Sequence, residues 1–305
     1  MKVTIVGAGS VGGFYGALLK RSGQDVTFIA RGKHLEAMKE NGLNVKSSSE
    51  QFSIDAEFSG DFEDLKDTDL IIFTVKSTDT TQTIQKIKPN ISSNVKVLTL
   101  QNGVDNEEVL AHEFGVENVF AGAAYLSAKV DKPGSIVQLG KHALVIGGLH
   151  ESQDEFVQQV ANMFQDAGVT CFVSDEIMAK KWEKLLWNVT FNPLSAVTEA
   201  TVGEILDDYE LKGLAEHVLE EALTIAKRSK INVHDDIANR VFIDAGSVRG
   251  HQTSMLQDKL KGKPMEVESL CGFFVRRGRE LGVDVPALST IYSVLSFMDK
   301  KRCKE

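Results

Sequence analysis

The spacing of apolar positions changes once along the chain. Up to about residue 174 short apolar runs alternate with amphipathic stretches, and from 175 onward the spacing is helical almost throughout. In the first part, 3–6, 25–30, 69–75, 95–100, 119–124, 135–139, 143–147 and 169–173 predict strands, with weaker alternation over 51–58. Segments 14–21, 34–41, 79–87, 106–114 and 151–167 predict the helices between them. The run 69–75 is apolar without interruption, the pattern of a strand covered on both faces in a parallel sheet. Gly134 and Gly140 mark turns between the strands they separate, and Gly42, Pro89 and Gly115 close helices. In the second part the predicted helices are 175–191, 204–231, 235–247, 264–282 and 286–300. The expectation is two domains, 1–174 and 175–305, the first α/β and the second all-α, abutting directly with a cleft between them for substrate.

The first strand runs straight into Gly7-Ala8-Gly9-Ser10-Val11-Gly12, and a helix follows. A strand, a glycine-rich turn and a helix start in that order form a dinucleotide-binding fingerprint, which makes the α/β part a Rossmann-type domain. Gly7 permits the tight turn, Gly9 leaves no Cβ between backbone and pyrophosphate, and Gly12 brings helix and strand close, while the helix N-terminus offers N–H groups to the phosphates. A glycine-rich turn of some other α/β protein is the competing reading. About 20 residues after the glycines an NAD-binding chain would carry an acid for the ribose hydroxyls. Here Ala30 is followed by Arg31, and a guanidinium suits a 2′-phosphate, so the cofactor expected is NADP(H). Lys76 and Asn102 follow two further strands, at the carboxyl ends where a ligand of an open α/β sheet sits.

Two stretches of the second part stand out. Lys184, Asn188 and Asn192 are spaced by four among Leu185, Leu186, Trp187, Val189 and Phe191, which puts a polar row on an otherwise apolar helix. Such a row lines a cleft or forms a solvated face. Ser254 can cap the helix that follows it, and Glu266 falls in the first turn of the next, where capping and the helix dipole account for both.

Composition narrows the classes. An apolar fraction of 42% and a charged fraction of 25% are those of an ordinary globular protein, and a net charge of −9 argues against a nucleic-acid partner. Cys171, Cys271 and Cys303 are far apart with no Cys/His cluster, so neither a disulfide framework nor a metal site is expected. The chain enters a strand at once and has no apolar run long enough for a bilayer, which leads to the expectation of a cytoplasmic protein with no membrane partner. Apolar helices in the second part fit a homodimer interface and core packing equally well.

Together these motifs resemble the ketopantoate reductase family, also called 2-dehydropantoate 2-reductases, over nearly the whole chain. The landmarks are Gly7–Gly12, Val75-Lys76, Gln101-Asn102-Gly103, Lys184 to Leu194, and Ser254-Met-Leu-Gln-Asp258 followed by Glu266. The resemblance implies NADPH-dependent reduction of the 2-keto acid 2-dehydropantoate to (R)-pantoate, on the route to pantothenate and coenzyme A. It implies Lys184 as the proton donor to the ketone oxygen and Glu266 as a second catalytic group between substrate and cofactor. Asn102, Asn188, Asn192 and Ser254 would hold substrate. Gly7, Ala8, Gly9, Ser10, Val11, Gly12, Arg31, Lys76, Asn102, Ala128 and Glu266 would lie on the cofactor. One departure is Val202, where the family's pocket often has asparagine. It opens the alternative of another branched 2-keto acid. A non-catalytic NADP(H)-binding sensor is the alternative from a different class.

Overall fold

The computed structural model describes residues 1–302, so Cys303 lies outside it. The chain separates into two compact units, one of Met1–Asn102 with Asn106–Met178, the other of Gly103–Asp105 with Ala179–Glu305.

The first unit opens with strand β1 (Lys2–Val6), helix α1 (Ser10–Arg21), β2 (Asp25–Ile29) and α2 (Gly32–Asn41). Next come β3 (Leu43–Lys46), β4 (Gln51–Ile54), β5 (Glu57–Ser59), β6 (Leu70–Phe73), α3 (Thr80–Ile87) and β7 (Lys96–Thr99). It closes with α4 (Asn106–Phe114), β8 (Val119–Lys132), β9 (Ser135–Gly148), α5 (Asp154–Asp166) and β10 (Thr170–Val173). The strands form one sheet in the order β4-β3-β9-β8-β7-β6-β1-β2-β5, with β10 also on β9. The run β5-β2-β1-β6-β7-β8 is parallel, and β8/β9 and β3/β4 are antiparallel. All four residues of β6 are buried, as the uninterrupted apolar run requires of a central strand. Separate apolar clusters cover the sheet's two faces. Phe14, Phe28, Leu98 and Ile146 belong to one, Val6, Ile71, Phe73 and Val97 to the other.

The sheet differs from the pattern-based expectation in several places: β3 has no counterpart among the predicted strands, and β8 runs on to Lys132. The alternation over 51–58 is two strands: β4 pairs with β3, whereas β5 pairs with β2 at the far edge. The turn expected at Gly140 is absent, because β9 runs on through it. Gly140 takes φ +71° inside the strand, and the Gln138 side-chain amide donates to the carbonyls of Leu139 and Gly140. A glutamine side chain thus satisfies the backbone groups that a turn would have satisfied.

The second unit contains α6 (Ile177–Thr198), α7 (Val202–Asp207), α8 (Tyr209–Arg228), α9 (Ile237–Ser247), α10 (Ser254–Leu260), a π-turn at Glu268–Gly272, α11 (Phe273–Leu281) and α12 (Pro286–Arg302). Helix α6 runs through Pro193 rather than stopping at 191. The segment expected as one helix over 204–231 is two. Thr201 and Glu204 form a capping box at the start of α7, and Asp208, extended at ψ 123°, accepts from Leu211 N–H to start α8. Apolar spacing continues across this break, so periodicity alone could not locate it. Ala215, Val218, Leu219, Ala222, Ile225 and Ala226 make the buried stripe of α8. Trp182 on α6 packs edge-on against Phe273 and Phe274 of α11, at ring-centroid distances of 5.5 and 5.9 Å. Among the described residues no helix is long and apolar enough to cross a membrane.

Candidate active site

In the sheet unit, the candidate residues other than Ala128 lie at the carboxyl ends of β1, β2, β6 and β7. Gly7 has φ +99°, and a Cβ there would stand 2.7 Å from Val75 N, so only glycine fits where the ends of β1 and β6 meet. The Gly7 and Ala8 N–H groups both donate to Ile29 O, at 3.1 and 3.0 Å, and Thr74 Oγ1 donates to Gly7 O at 2.8 Å. Gly9 is the N-cap of α1 and has no side chain to cap it. A Cβ built on it would meet nothing closer than 3.9 Å. The first-turn N–H groups beginning at Ser10, Val11 and Gly12 thus face an open approach, and this loop fits an anionic phosphate.

Arg31 ends the extended segment after β2 and is 83% exposed, with its guanidinium 2.6 Å from Asp79 Oδ2. An exposed pair of this kind holds its partners weakly, so the guanidinium can exchange Asp79 for a phosphate. Lys76 is the N-cap of the short turn Ser77–Asp79 after β6. Asn102 follows β7, and its carbonyl accepts from Asn106 Nδ2 at 2.9 Å. Ala128 lies in β8 opposite Gln138, half-buried against the sheet core. Gln101, part of the landmark but given no role from sequence, is buried and donates to Val75 O at 2.9 Å and Thr80 Oγ1 at 2.8 Å. It ties the ends of β6 and β7 together.

In the helical unit, α6 presents Lys184, Asn188 and Asn192 on one face, Asn188 9% and Asn192 2% exposed. Asn192 Nδ2 donates to Ser254 Oγ at 3.5 Å across 62 residues, while Asn192 Oδ1 is buried with no hydrogen-bond partner. An unmet buried acceptor costs free energy, so this oxygen is poised for a ligand donor. Lys259 on α10 donates to Ala196 O at 2.8 Å near the end of α6 and pairs with Glu199 at 3.0 Å, holding the two helices in register.

Two sequence-based assignments need correction. Thr253, not Ser254, caps α10: its Oγ1 accepts from Leu256 N at 3.3 Å, which leaves the Ser254 hydroxyl for Asn192. Glu266 is not in the first turn of a helix, because the helical turns begin at Glu268. Its carboxylate instead acts on Lys184. Burial pushes the Lys184 ammonium down from 10.5 to about 8, the neighbouring Lys181 charge pushes the same way, and Glu266 opposes both. Lys181 is itself buried, 4% exposed, three residues before Lys184 on α6. It had no role in the sequence reading, although its i,i+3 spacing from Lys184 was visible there. Val202 is fully buried, its N–H donating to His251 O at 3.1 Å, so it offers the site no side-chain hydrogen bond. Beyond the site, the π-turn closes with Gly272 N–H donating to Val267 O at 3.0 Å, five residues back. Within it Glu268 accepts from Tyr292 Oη and Arg276 Nη1, each at 2.7 Å.

The family model described as "Ketopantoate reductase PanE/ApbA" matches residues 3–151, and its companion, "Ketopantoate reductase PanE/ApbA C terminal", matches 176–299. A 2-dehydropantoate 2-reductase of Pyrococcus horikoshii is 32% identical over 286 residues, covering 94% of this chain and 93% of its own. The crystal structure of a PanE/ApbA family ketopantoate reductase from Ralstonia eutropha superposes with a TM-score of 0.93 at 32% identity, over 99% of this chain and 100% of that one. A D-mandelate dehydrogenase with NADH and anilino(oxo)acetate shares the fold at a TM-score of 0.92 and 23% identity, over 99% and 100% of the two chains.

Proposed function

The chain belongs to the ketopantoate reductase family, a family of oxidoreductases, and we propose that it reduces 2-dehydropantoate to (R)-pantoate with NADPH, in the cytoplasm, on the route to pantothenate and coenzyme A. The observation that carries this reading is the face of α6, where a lysine brought to about 8 stands in line with two buried asparagines, one with an unmet oxygen. NADPH supplies the hydride.

The division of labour follows the chain except at Asn102 and Glu266, with a cofactor half to about residue 174 and a substrate half after it. The Gly7–Gly12 loop and the N-terminus of α1 hold the pyrophosphate. Arg31 leaves Asp79 for the 2′-phosphate, and Lys76, Asn102, Ala128 and Glu266 complete the cofactor's surroundings. Asn102, Asn188, Asn192 and Ser254 orient the keto acid through neutral hydrogen bonds, Asn192 Oδ1 accepting from a substrate hydroxyl. As the ketone carbon is reduced, negative charge grows on its oxygen. The Lys184 ammonium stabilises that charge and then delivers its proton, and a donor that titrates near 8 is well matched to a neutral operating pH. Glu266 sustains the ammonium against the burial that disfavours it.

Val202 favours a second reading, in which the same chemistry serves another branched 2-keto acid. Nicotinamide oxidation by the purified protein separates the readings. Turnover of 2-dehydropantoate with NADPH, far above that of 2-ketoisovalerate or with NADH, supports the first. Better turnover of a keto acid without the hydroxyl replaces it with the second. Tight NADPH binding with no turnover of any keto acid would make the protein a sensor.

A further inference from the structure

His34 is the third residue of α2, the helix that begins directly after Arg31. Its two ring nitrogens reach two loops that are distant in sequence. Nε2 is 2.9 Å from Ala8 O in the glycine loop, and Nδ1 is 3.0 Å from Gly134 N in the turn of the β8–β9 hairpin. The partners fix the tautomer, since a carbonyl can only accept and a backbone N–H can only donate. The ring is therefore neutral, with its proton on Nε2 donated to Ala8 O, and Nδ1 accepts from Gly134.

The contact on Ala8 closes a set. Ala8 N–H is held by Ile29 O at 3.0 Å, and its carbonyl is held by His34, so both peptide planes of the residue between Gly7 and Gly9 are fixed. Gly134 is fixed likewise. It takes φ +73°, its N–H goes to His34 and its carbonyl accepts from Asn44 N on β3 at 2.9 Å. One imidazole thus ties the glycine loop to a hairpin turn that is itself anchored in the sheet. A loop of glycines is the most mobile backbone a chain can have, and every constraint present before binding lowers the ordering cost of binding.

We infer that His34 is a positioning residue for the cofactor, holding the Ala8–Gly9 peptide so that the glycine loop is shaped for pyrophosphate before the dinucleotide arrives. This rests on the proposal that the loop binds NADPH.

The test joins cofactor titration to a measurement that needs no cofactor. NADPH affinity is measured on the full chain as wild type, His34→Ala, His34→Gln and Met38→Ala, the last truncating a buried apolar residue of α2 that has no side-chain hydrogen-bonding group. His34→Ala is expected to weaken NADPH about 10-fold, the scale of one hydrogen bond, and to raise its KM with kcat nearly unchanged. His34→Gln, which keeps a donor and an acceptor, recovers part of that loss. Met38→Ala lowers the melting temperature and leaves affinity unchanged. Equal affinity for wild type and His34→Ala overturns the inference, as does an equal loss in Met38→Ala, which would mean that α2 acts only through stability. Independently, the imidazole nitrogen shifts of the free protein should report the neutral Nε2–H tautomer at His34, and the opposite tautomer overturns the brace. Failure of wild type to bind NADPH overturns the functional reading instead, with the tautomer measurement still deciding the brace.

Discussion

The reduced basicity of Lys184 makes a prediction about rate against pH. If its ammonium is the proton donor, turnover follows the protonated fraction. The group titrates at about 8 instead of 10.5, so the sign is a loss of rate as pH rises. At pH 9 about a tenth of the donor remains and at pH 10 about a hundredth, whereas an ordinary lysine would be almost fully protonated at pH 9. Lys181→Met removes one of the two influences that depress Lys184, the other being burial, and leaves Glu266 as the remaining charge acting on it. A like charge one helical turn away, at roughly 6–8 Å and an effective dielectric of roughly 20–40, contributes about 1–3 kcal/mol, or about 1–2 pH units. The alkaline limb should therefore move up by about that much in Lys181→Met and down in Glu266→Gln. The assay is single-turnover oxidation of NADPH at saturating keto acid and constant ionic strength, so that product release does not mask the proton transfer. A wild-type rate that stays flat to pH 10, or a limb that Lys181→Met leaves in place, would refute the reasoning.

Lys184→Met should abolish most turnover yet raise the stability of the fold, because a folded-state value of about 8 against 10.5 means that burial disfavours the ammonium below pH 8. The full shift corresponds to about 3 kcal/mol, an upper bound since part of the side chain reaches solvent, and denaturant melts at neutral pH check the direction. Arg31→Ala should weaken NADPH ~10–100-fold while barely changing NADH, and equal effects on the two cofactors would remove Arg31 from the 2′-phosphate. Asn192→Leu should lower kcat/KM for 2-dehydropantoate by about 10–100-fold and leave 2-ketoisovalerate, which lacks the hydroxyl, less affected. A uniform loss across both substrates would mean that Asn192 serves packing.

The parts legible in the sequence are those set by local rules. The apolar run of β6, the glycines after β1 and the spacing of Lys184, Asn188 and Asn192 all state their positions within a few residues of chain. The break at Asp208 is equally local, but its capping signal lies beneath an apolar period that continues on both sides. Gly140 shows the reverse: a turn signal is overridden because the Gln138 side chain satisfies the strand's carbonyls. Contacts between remote segments left no local trace. Asn192 meets Ser254 across 62 residues, and His34 joins Ala8 and Gly134 across 26 and 100. Only the folded chain sets such distances. The cap of α10 is a different case, because Thr253 and Ser254 are adjacent hydroxyls that could each start the helix and the local signal does not choose between them.

The π-turn between Glu266 and α11 has a bearing on how chains of this kind can change length. A π-turn holds one residue more than the α-helical turn it replaces, so deleting any one of Glu268–Gly272 would restore ordinary helix. The segment before it would then rotate by about 100° around the axis of α11, the angle of a single residue. Such a rotation would change where the Glu266 carboxylate stands relative to Lys184 without altering either residue. Insertion or deletion here would thus alter the charge beside Lys184 from a distance along the chain.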